Sequence, residues 1–154
     1  MTNAILAAAA AALVAGSAAA CPNYNIPASF GAINLNAGFL PDPYVRNITA
    51  GGGYDLAACL GVNGWGGSVA AAPDFELSWT GYSAQLTIAA EVPADAVLLI
   101  NGPNGEWYFE DDVYGTNPVV QISNPQPGVY DIWIGAYNGT SGNGGQLIIT
   151  EQPY

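Results

Sequence analysis

The chain has 154 residues, enough for one domain with a hydrophobic core and too few for two. Twelve acidic residues stand against one basic residue, Arg46, and the formal net charge is -11. A surface this acidic, without a basic patch, excludes nucleic-acid binding and attraction to anionic membranes, and it suits cations instead. Twenty glycines and eleven prolines predict short strands joined by tight turns.

The first twenty residues, MTNAILAAAAAALVAGSAAA, predict a signal peptide. Ala18 and Ala20 form the small-x-small pattern that signal peptidase recognises. The stretch has no Lys or Arg at its start, and a transmembrane anchor is the alternative, but the apolar run is shorter than the roughly 20 residues of a span. We expect residues 1–20 to be removed, no membrane insertion afterwards, and a single secreted domain of residues 21–154, with the periplasm or cell surface as other destinations.

Cleavage before Cys21 leaves two cysteines, Cys21 and Cys59. An even number in an exported chain predicts one disulfide. It would close about 39 residues and contribute roughly 4 kcal/mol in the chain-entropy model. Lipidation of Cys21, as in bacterial lipoproteins, is the competing interpretation. Ala18 occupies the position where those proteins usually carry a large aliphatic residue, and lipidation would leave Cys59 alone, so the sequence favours the disulfide.

After Pro22 the chain consists of short segments separated by Gly, Pro and Asn. Phe75, Leu77 and Trp79 alternate with polar residues, the period-two pattern of a half-buried strand. Val97–Ile100 is a continuous apolar run and predicts a central strand. The predicted strands are residues 32–39, 44–50, 74–79, 85–90, 97–100, 106–110, 119–122, 130–136 and 146–150.

The segment from residue 51 to residue 67 begins with three glycines and predicts a long loop that contains Trp65. No window after Ala20 has a convincing helical period, so we expect almost no helix. Eight or nine short strands, spaced about ten residues apart, are typical of sandwiches and jelly rolls. The sequence therefore predicts an all-β fold, an antiparallel β-sandwich of jelly-roll type.

Several segments resemble the bacterial pre-peptidase C-terminal domain family. They are the core LLINGPNGEWYFEDD, the strand-like GVYDIWIGAYNG, and the surroundings of the cysteines, CPNYNI and AGGGYDLAACLG. The cysteine segments are similar to the N-terminal part of secreted proteobacterial members. The resemblance implies a jelly-roll β-sandwich, secretion, frequent calcium binding and a non-catalytic role. Members are usually attached to a secreted protease or another enzyme, for which this sequence has no residues left.

The segment INGPNGEWYFEDDVYGTN predicts a β-hairpin, because Asn-Gly steps favour chain reversal. With the turn centred near Pro103, antiparallel pairing places Asp95 opposite Asp112, at about 5 Å. Asp111 and Glu110 would lie beside this pair. The hairpin base is therefore a candidate site where several carboxylates meet.

Like charges that face each other destabilise a strand pair, and Arg46 is the only cation in the chain. A bound ion would neutralise the acids, and oxygen ligands without His or a free thiol suit Ca²⁺. Loop carbonyls of residues 113–116 would complete the shell. The alternative is that the acids are simply solvated. The predicted metal ligands are Asp95, Glu110, Asp111, Asp112 and Asn117.

Most enzyme classes are excluded by composition. The absence of His removes the Ser-His and Cys-His systems and the commonest zinc ligand, and the absence of Lys removes Schiff-base chemistry. The remaining catalytic alternative is a carboxylate-pair glycosidase that uses Glu106 or Glu110 with Asp111 or Asp112. These acids lie on one short edge without a sign of a cleft, so we expect no enzyme.

Three aromatic residues are predicted to contact a ligand at the surface: Trp133, Tyr137 and Tyr108. Exposed aromatics among neutral polar residues suit extracellular polysaccharide or protein, whereas burial of Trp133 between sheets is the alternative. We expect a secreted, non-catalytic, calcium-binding protein that acts by extracellular interaction, adhesion or self-assembly with copies of itself. The alternative is a carbohydrate- or protein-binding accessory module that works with a separate secreted hydrolase.

Overall fold

The computed structural model describes residues 21–138 and 142–154, so the predicted signal peptide lies outside the described residues. Eleven strands and one short helix form the described fold. Their bounds are β1 Ala32–Asn36, β2 Tyr44–Ala50, β3 Tyr54–Asp55, α1 Leu56–Leu60, β4 Ser68–Val69, β5 Phe75–Thr80, β6 Gln85–Glu91, β7 Ala96–Asn101, β8 Trp107–Glu110, β9 Val119–Ser123, β10 Gly128–Ala136 and β11 Asn143–Thr150.

The strands form two sheets that pack face to face. The four-stranded sheet has the order β2-β11-β6-β9. In the seven-stranded sheet, β10 pairs with β7 and with β5, β7 pairs with β8, β1 lies beyond β5, and the short β4 and β3 continue from β10. All pairs are antiparallel except β1 with β5. Consecutive strands often change sheet, and the predicted β-sandwich is confirmed.

The main core lies between the sheets and follows the predicted alternation. Phe75, Leu77 and Trp79 point inward from β5 and are buried, while Glu76 and Ser78 point outward. Burial of each large apolar side chain contributes roughly 1.5–3 kcal/mol. β7 is buried along its whole length, as expected for the predicted central strand.

A second apolar cluster covers part of the outer face of the seven-stranded sheet. Trp133 is fully buried there together with Leu99, and Trp107 and Phe109 pack against them. The ring centroids of Trp107 and Trp133 are 5.7 Å apart. The sheet is therefore apolar on both faces over this region, and α1 supplies part of the cover through Leu56.

The prediction of an irregular segment from residue 51 to residue 67 is wrong in its middle. Asp55 caps α1, because its side chain accepts a 2.7 Å hydrogen bond from the backbone N–H of Ala58. Gly61 ends the helix with a φ of 68° and donates to the carbonyl of Ala57. A helix of five residues is too short to display a helical period, which is why the pattern missed it.

Cys21 and Cys59 form the predicted disulfide. The bond ties the N-terminal segment to α1, and it leaves no thiol at Cys21 for lipidation. A structural disulfide is typical of oxidising compartments and indicates an extracellular or periplasmic location. Within the part of the chain that the structure describes, no helix is long and apolar enough to cross a membrane.

The tail after β11 covers the outer face of the four-stranded sheet. Tyr154 packs against a small cluster of Ala89, Val119 and Ile148. The hydroxyl of Thr87 donates to the carbonyl of Gln152 at 2.9 Å and holds the tail on β6. The tail therefore covers the part of this sheet around β6, β9 and β11.

Candidate functional site

The β7–β8 hairpin forms as predicted, but its register differs from the prediction by one residue. Leu98 lies opposite Glu110, so the turn is centred on Asn104 and not on Pro103. Gly105 has a φ of 77°, in the left-handed region that glycine adopts easily. The reversal is completed there, one residue later than the sequence suggested.

This shift separates the predicted ligand pair, because the β7–β8 ladder ends at Leu98. The prediction that Asp95 faces Asp112 across the ladder is wrong. Burial, and then the charges of Asp112 and Asp95, raise the pKa of Asp111 above its usual value. The three acids thus share one neighbourhood without forming cross-strand pairs.

Glu110 and Asn117 are engaged by the backbone. A carboxylate oxygen of Glu110 accepts from the N–H of Asp112 at 2.9 Å, and the side-chain oxygen of Asn117 accepts from the N–H of Val92 at 2.9 Å. Among the described residues, no group of three or more His, Cys, Asp or Glu side chains is placed to hold a metal ion. Glu110 and Asn117, two of the five predicted ligands, therefore stabilise the loop of residues 111–116 through these hydrogen bonds.

Asp95 connects the acidic neighbourhood to the predicted aromatic residue Tyr137. The backbone N–H of Tyr137 donates to the carbonyl of Asp95 at 3.1 Å. The side-chain amide of Asn138 donates to Oδ2 of Asp95 at 3.3 Å. Oδ1 of Asp95 is buried and has no hydrogen-bond partner among the described residues. Such a buried acceptor is costly unless a ligand or a proton satisfies it.

Tyr137 is 44% exposed, and its ring lies against the backbone of Gly66. A Cβ at Gly66 would lie 2.6 Å from Cε2 of the ring, so a larger residue at this position would displace the ring. Trp65, the preceding residue, is half-buried and stacks on Phe109 with ring centroids 5.1 Å apart. We call Trp65, Tyr137, Asp95 and Asn138 the end patch. Sequence reasoning placed Trp65 in a loop but missed it as a site residue; its position among glycines was the available signal.

The other two predicted surface aromatics are less accessible. Trp133 is fully buried in the outer cluster, so the expectation that it is exposed is wrong, because α1 and Trp107 cover that part of the sheet. Tyr108 is half-buried against the main core, and its hydroxyl donates to Glu106 at 3.0 Å.

The carboxylates of the glycosidase alternative are spread along β8. Glu106 precedes the strand and Glu110 ends it, so about 14 Å separates them at 3.4 Å per residue. Carboxylate pairs in glycosidases lie roughly 5–9.5 Å apart. Glu106 therefore lies at the other end of β8 from Asp111 and Asp112, whereas Glu110 is their neighbour in sequence, and the glycosidase alternative stays a prediction.

A row of side chains that sequence reasoning missed crosses the outer face of the seven-stranded sheet. Asp131 lies opposite Glu76 on one side and opposite Asn101 on the other, and Asn101 lies opposite Trp107. Directly opposed residues share a face and lie about 5 Å apart. We call these four residues the outer-face row.

The centre of the outer-face row is buried although it is polar. Asp131 is 8% exposed and Asn101 is 7% exposed. Burial, and then the charge of Glu76, raises the pKa of Asp131 to about 6. Tyr24 lies at the other end of the row, with its ring centroid 6.4 Å from that of Trp107.

Asp74 is a second buried acid, and it has a partner. Its Oδ2 accepts a 2.6 Å hydrogen bond from the backbone N–H of Ile134. The carboxylate thereby gives a backbone N–H of β10 its hydrogen-bond acceptor just before β5 begins. Burial raises the pKa of Asp74 to about 7, partly offset by this bond. We regard Asp74 as structural.

A shallow groove of about 460 Å³ lies at the opposite end of β10 from Tyr137. Tyr82, which is 96% exposed, lines it together with Pro125 and Pro127. No acidic or basic side chain is among its lining residues. The groove offers a reference position for experiments on the end patch.

No protein-family model matches the chain, and no curated protein matches it. Among solved structures, the chain is similar to the crystal structure of PliG from Aeromonas hydrophila, described as a periplasmic lysozyme inhibitor of g-type lysozyme. The identity is 12%, the TM-score is 0.39, and the match covers 78% of this chain and 96% of that one. A likeness at this TM-score carries no argument about function. The resemblance to the pre-peptidase C-terminal family stays a prediction.

Proposed function

We propose that the protein is a non-catalytic binding module that acts outside the cytoplasm and holds its ligand at the end patch. The observation that carries this proposal is the association of the exposed ring of Tyr137 with the polar pair Asp95 and Asn138. Binding sites typically combine aromatic surface with a few placed polar groups. A polysaccharide offers both matching parts, since its sugar rings have apolar faces and hydroxyl edges.

The geometry of the patch supports this ligand class. Gly66 lets the ring of Tyr137 pack against the backbone, and a ring that is already packed loses less freedom on binding. Asp95 orients the side chain of Asn138 through their hydrogen bond, and Asn138 supplies both a donor and an acceptor for hydroxyl groups. The stacked pair of Trp65 and Phe109 extends the apolar surface. The ligand we propose is an extracellular polysaccharide.

The test is affinity electrophoresis of the domain through gels that contain neutral polysaccharides, with two matched variants. Tyr137→Ala removes the ring from the end patch, and Tyr82→Ala removes an exposed ring at the other end of the sandwich. Tyr137→Ala removes the aromatic contact surface of the patch and should weaken retention about tenfold, which corresponds to about 1.4 kcal/mol of binding free energy. Tyr82→Ala should bind like the native protein. Equal binding by both variants, or no retention by any polysaccharide, contradicts the proposal.

Calcium binding at the hairpin base is a second candidate function, favoured by the buried and unpaired Oδ1 of Asp95 beside Asp111. These oxygens, Asp112 and the loop carbonyls suit a hard cation, although Glu110 and Asn117 already accept backbone hydrogen bonds.

Calcium at this base should raise the melting temperature, and Asp112→Ala should abolish the rise. The measurement is a thermal melt with calcium and with a chelator. Superimposable native melting curves would sink the idea.

Self-assembly or adhesion is the alternative form of the binding role. β8 and β9 are outer strands of the two sheets, and Glu106 and Glu110 flank β8. Charged residues at an edge strand oppose edge-to-edge pairing, and neutralisation of these acids by calcium would relieve that opposition. Sizing and electron microscopy with and without calcium distinguish the forms. A monomer in both conditions supports the soluble binding module, whereas calcium-dependent polymers support a structural role.

A further inference from the structure

We propose that the end patch is one end of a longer aromatic track, which binds a linear, uncharged polysaccharide lengthwise along the outer face of the seven-stranded sheet. The aromatic track consists of the rings of Tyr137, Trp65, Phe109, Trp107 and Tyr24. This inference rests on the proposed function and deepens it, because it states the shape and the charge of the ligand and adds a second contact area.

The first half of the aromatic track extends from the end patch to β8. The ring of Tyr137 lies against the backbone of Gly66. Trp65, the neighbour of Gly66 in the chain, stacks on Phe109 with ring centroids 5.1 Å apart. Phe109 belongs to β8. The end patch is therefore joined to the edge strand of the sheet by aromatic contacts.

The second half follows β8 to the N-terminal segment. Phe109 and Trp107 pack against the same outer cluster, and they are two residues apart in the strand, which corresponds to about 7 Å. The ring centroid of Tyr24 lies 6.4 Å from that of Trp107. The five rings therefore follow one another along one face of the protein.

The register of β7 gives the length of the aromatic track. At one end, the backbone N–H of Tyr137 donates to the carbonyl of Asp95. At the other end, Trp107 lies opposite Asn101. Asp95 and Asn101 are six residues apart, along β7 and the position before it, which corresponds to about 20 Å at 3.4 Å per residue. A ligand that contacts both ends is therefore an extended chain of several sugar rings.

The rings of the aromatic track differ from the core aromatics in their exposure. The two terminal rings are the most open, since Tyr24 is 51% exposed and Tyr137 is 44% exposed. The three rings between them are half-buried, whereas Trp133 beneath Trp107 is fully buried. A ring that packs on the protein and stays partly exposed offers apolar surface that loses little freedom on binding. Such surface suits the apolar faces of sugar rings.

The charges near the two ends restrict the ligand to an uncharged chain. Asp95 lies at the end patch, and Asp131 and Glu76 lie in the row that ends at Trp107. With a formal net charge of -11, the domain repels polysaccharides that carry carboxylate or sulfate groups. Asp131 is 8% exposed and Oδ1 of Asp95 is buried, so these oxygens are not open to the ammonium group of an amino sugar.

The deciding experiment is calorimetric titration of the domain with fragments of a neutral linear polysaccharide that retards it in the affinity gels. One fragment is shorter than half of the aromatic track, and the other spans its whole length of about 20 Å. The native domain should bind the long fragment about tenfold more tightly than the short one, because only the long fragment reaches the rings of Trp107 and Tyr24. A long fragment of an anionic polysaccharide should not bind.

Two variants at the far end separate the aromatic track from the end patch. Tyr24→Ala removes an exposed ring, and Trp107→Leu removes a ring but keeps apolar cover over Trp133. Each should bind the short fragment like the native domain and the long fragment about tenfold more weakly. Tyr137→Ala should weaken the binding of both fragments, and Tyr82→Ala at the other end of the sandwich should weaken neither.

The indole NMR signals of the native domain give a readout that needs no variant. The signal of Trp107 should shift with the long fragment only, and that of Trp65 should shift with both fragments. Trp79 is fully buried between the sheets, and its signal should stay in place.

Two kinds of failure are distinguishable. Equal affinity for short and long fragments, full long-fragment affinity in Tyr24→Ala and Trp107→Leu, or equally tight binding of the anionic fragment overturns the aromatic track and leaves the end patch in place. If neither neutral fragment binds, the proposed function is overturned together with the aromatic track.

Discussion

At the scale of single residues, the seven-stranded sheet carries two buried acids that differ in their partners. Asp74 accepts a backbone hydrogen bond from Ile134, whereas Asp131 faces the acid Glu76. Burial raises the pKa of Asp74 to about 7 and that of Asp131 to about 6. Both side chains therefore hold protons in the folded protein at pH values where the unfolded chain has released them.

The free energy of unfolding should fall as the pH rises from about 4 to about 7. In this window the folded state binds more protons than the unfolded state, and the linkage relation then gives a negative slope. Asp74→Asn should flatten the curve, because an amide oxygen still accepts from Ile134 but does not titrate. Thermal melts across this range, in chelator, measure the slope. A melting temperature that rises with pH would contradict the assignment.

At the scale of elements, the spacing between β11 and β6 depends on one glycine. A Cβ at Gly145 would lie 2.5 Å from the carbonyl oxygen of Glu91, while a Cβ at Gly144 would meet nothing within 4 Å. Both glycines belong to β11. The pair therefore separates the effect of crowding from the general effect of replacing glycine in a strand.

Gly145→Ala should lower the free energy of unfolding by about 1–3 kcal/mol, the usual cost of overpacking. Gly144→Ala should leave it unchanged or raise it by up to about 1 kcal/mol, because alanine restricts the unfolded chain. Urea unfolding of the two variants gives both values. Equal losses would show that the close approach of β6 and β11 is not the cause.

Local sequence patterns predicted most strands correctly, because the alternation of apolar and polar residues shows which face of a strand is buried. They indicated β5 from Phe75, Leu77 and Trp79, and the central β7 from its apolar run. The helix α1 was missed because five residues show no period. The predicted hairpin register was wrong by one residue, because several Gly, Pro and Asn residues of this segment are able to form the turn.

The outer-face row was beyond sequence reasoning for a different reason. Asp131 and Glu76 are far apart in the chain, and they meet only because β10 pairs with β5. The order of strands in a sheet depends on long-range packing, which local periodicity does not contain. The end patch was predicted only in part. Tyr137 and Asp95 were named as members of two different candidate sites, and Trp65 was placed only in a loop.

At the scale of the whole molecule, segments outside the main strands cover parts of the outer faces of both sheets. The N-terminal segment, held by the disulfide at Cys21, and α1 cover part of one sheet, and the tail with Tyr154 covers part of the other. The end patch and the outer-face row lie at and beside the edges of these covers.

The most direct test of the proposed polysaccharide site is an NMR titration that follows the backbone amide and indole signals of the domain. The titrant is a fragment of a polysaccharide that retards the protein in the affinity gels. The account predicts that the signals of Trp65, Tyr137 and Asn138 shift together in a saturable way, while those of Tyr82 stay in place. Shifts that cluster at the Tyr82 groove, or saturable binding that leaves the end patch unmoved, would contradict it.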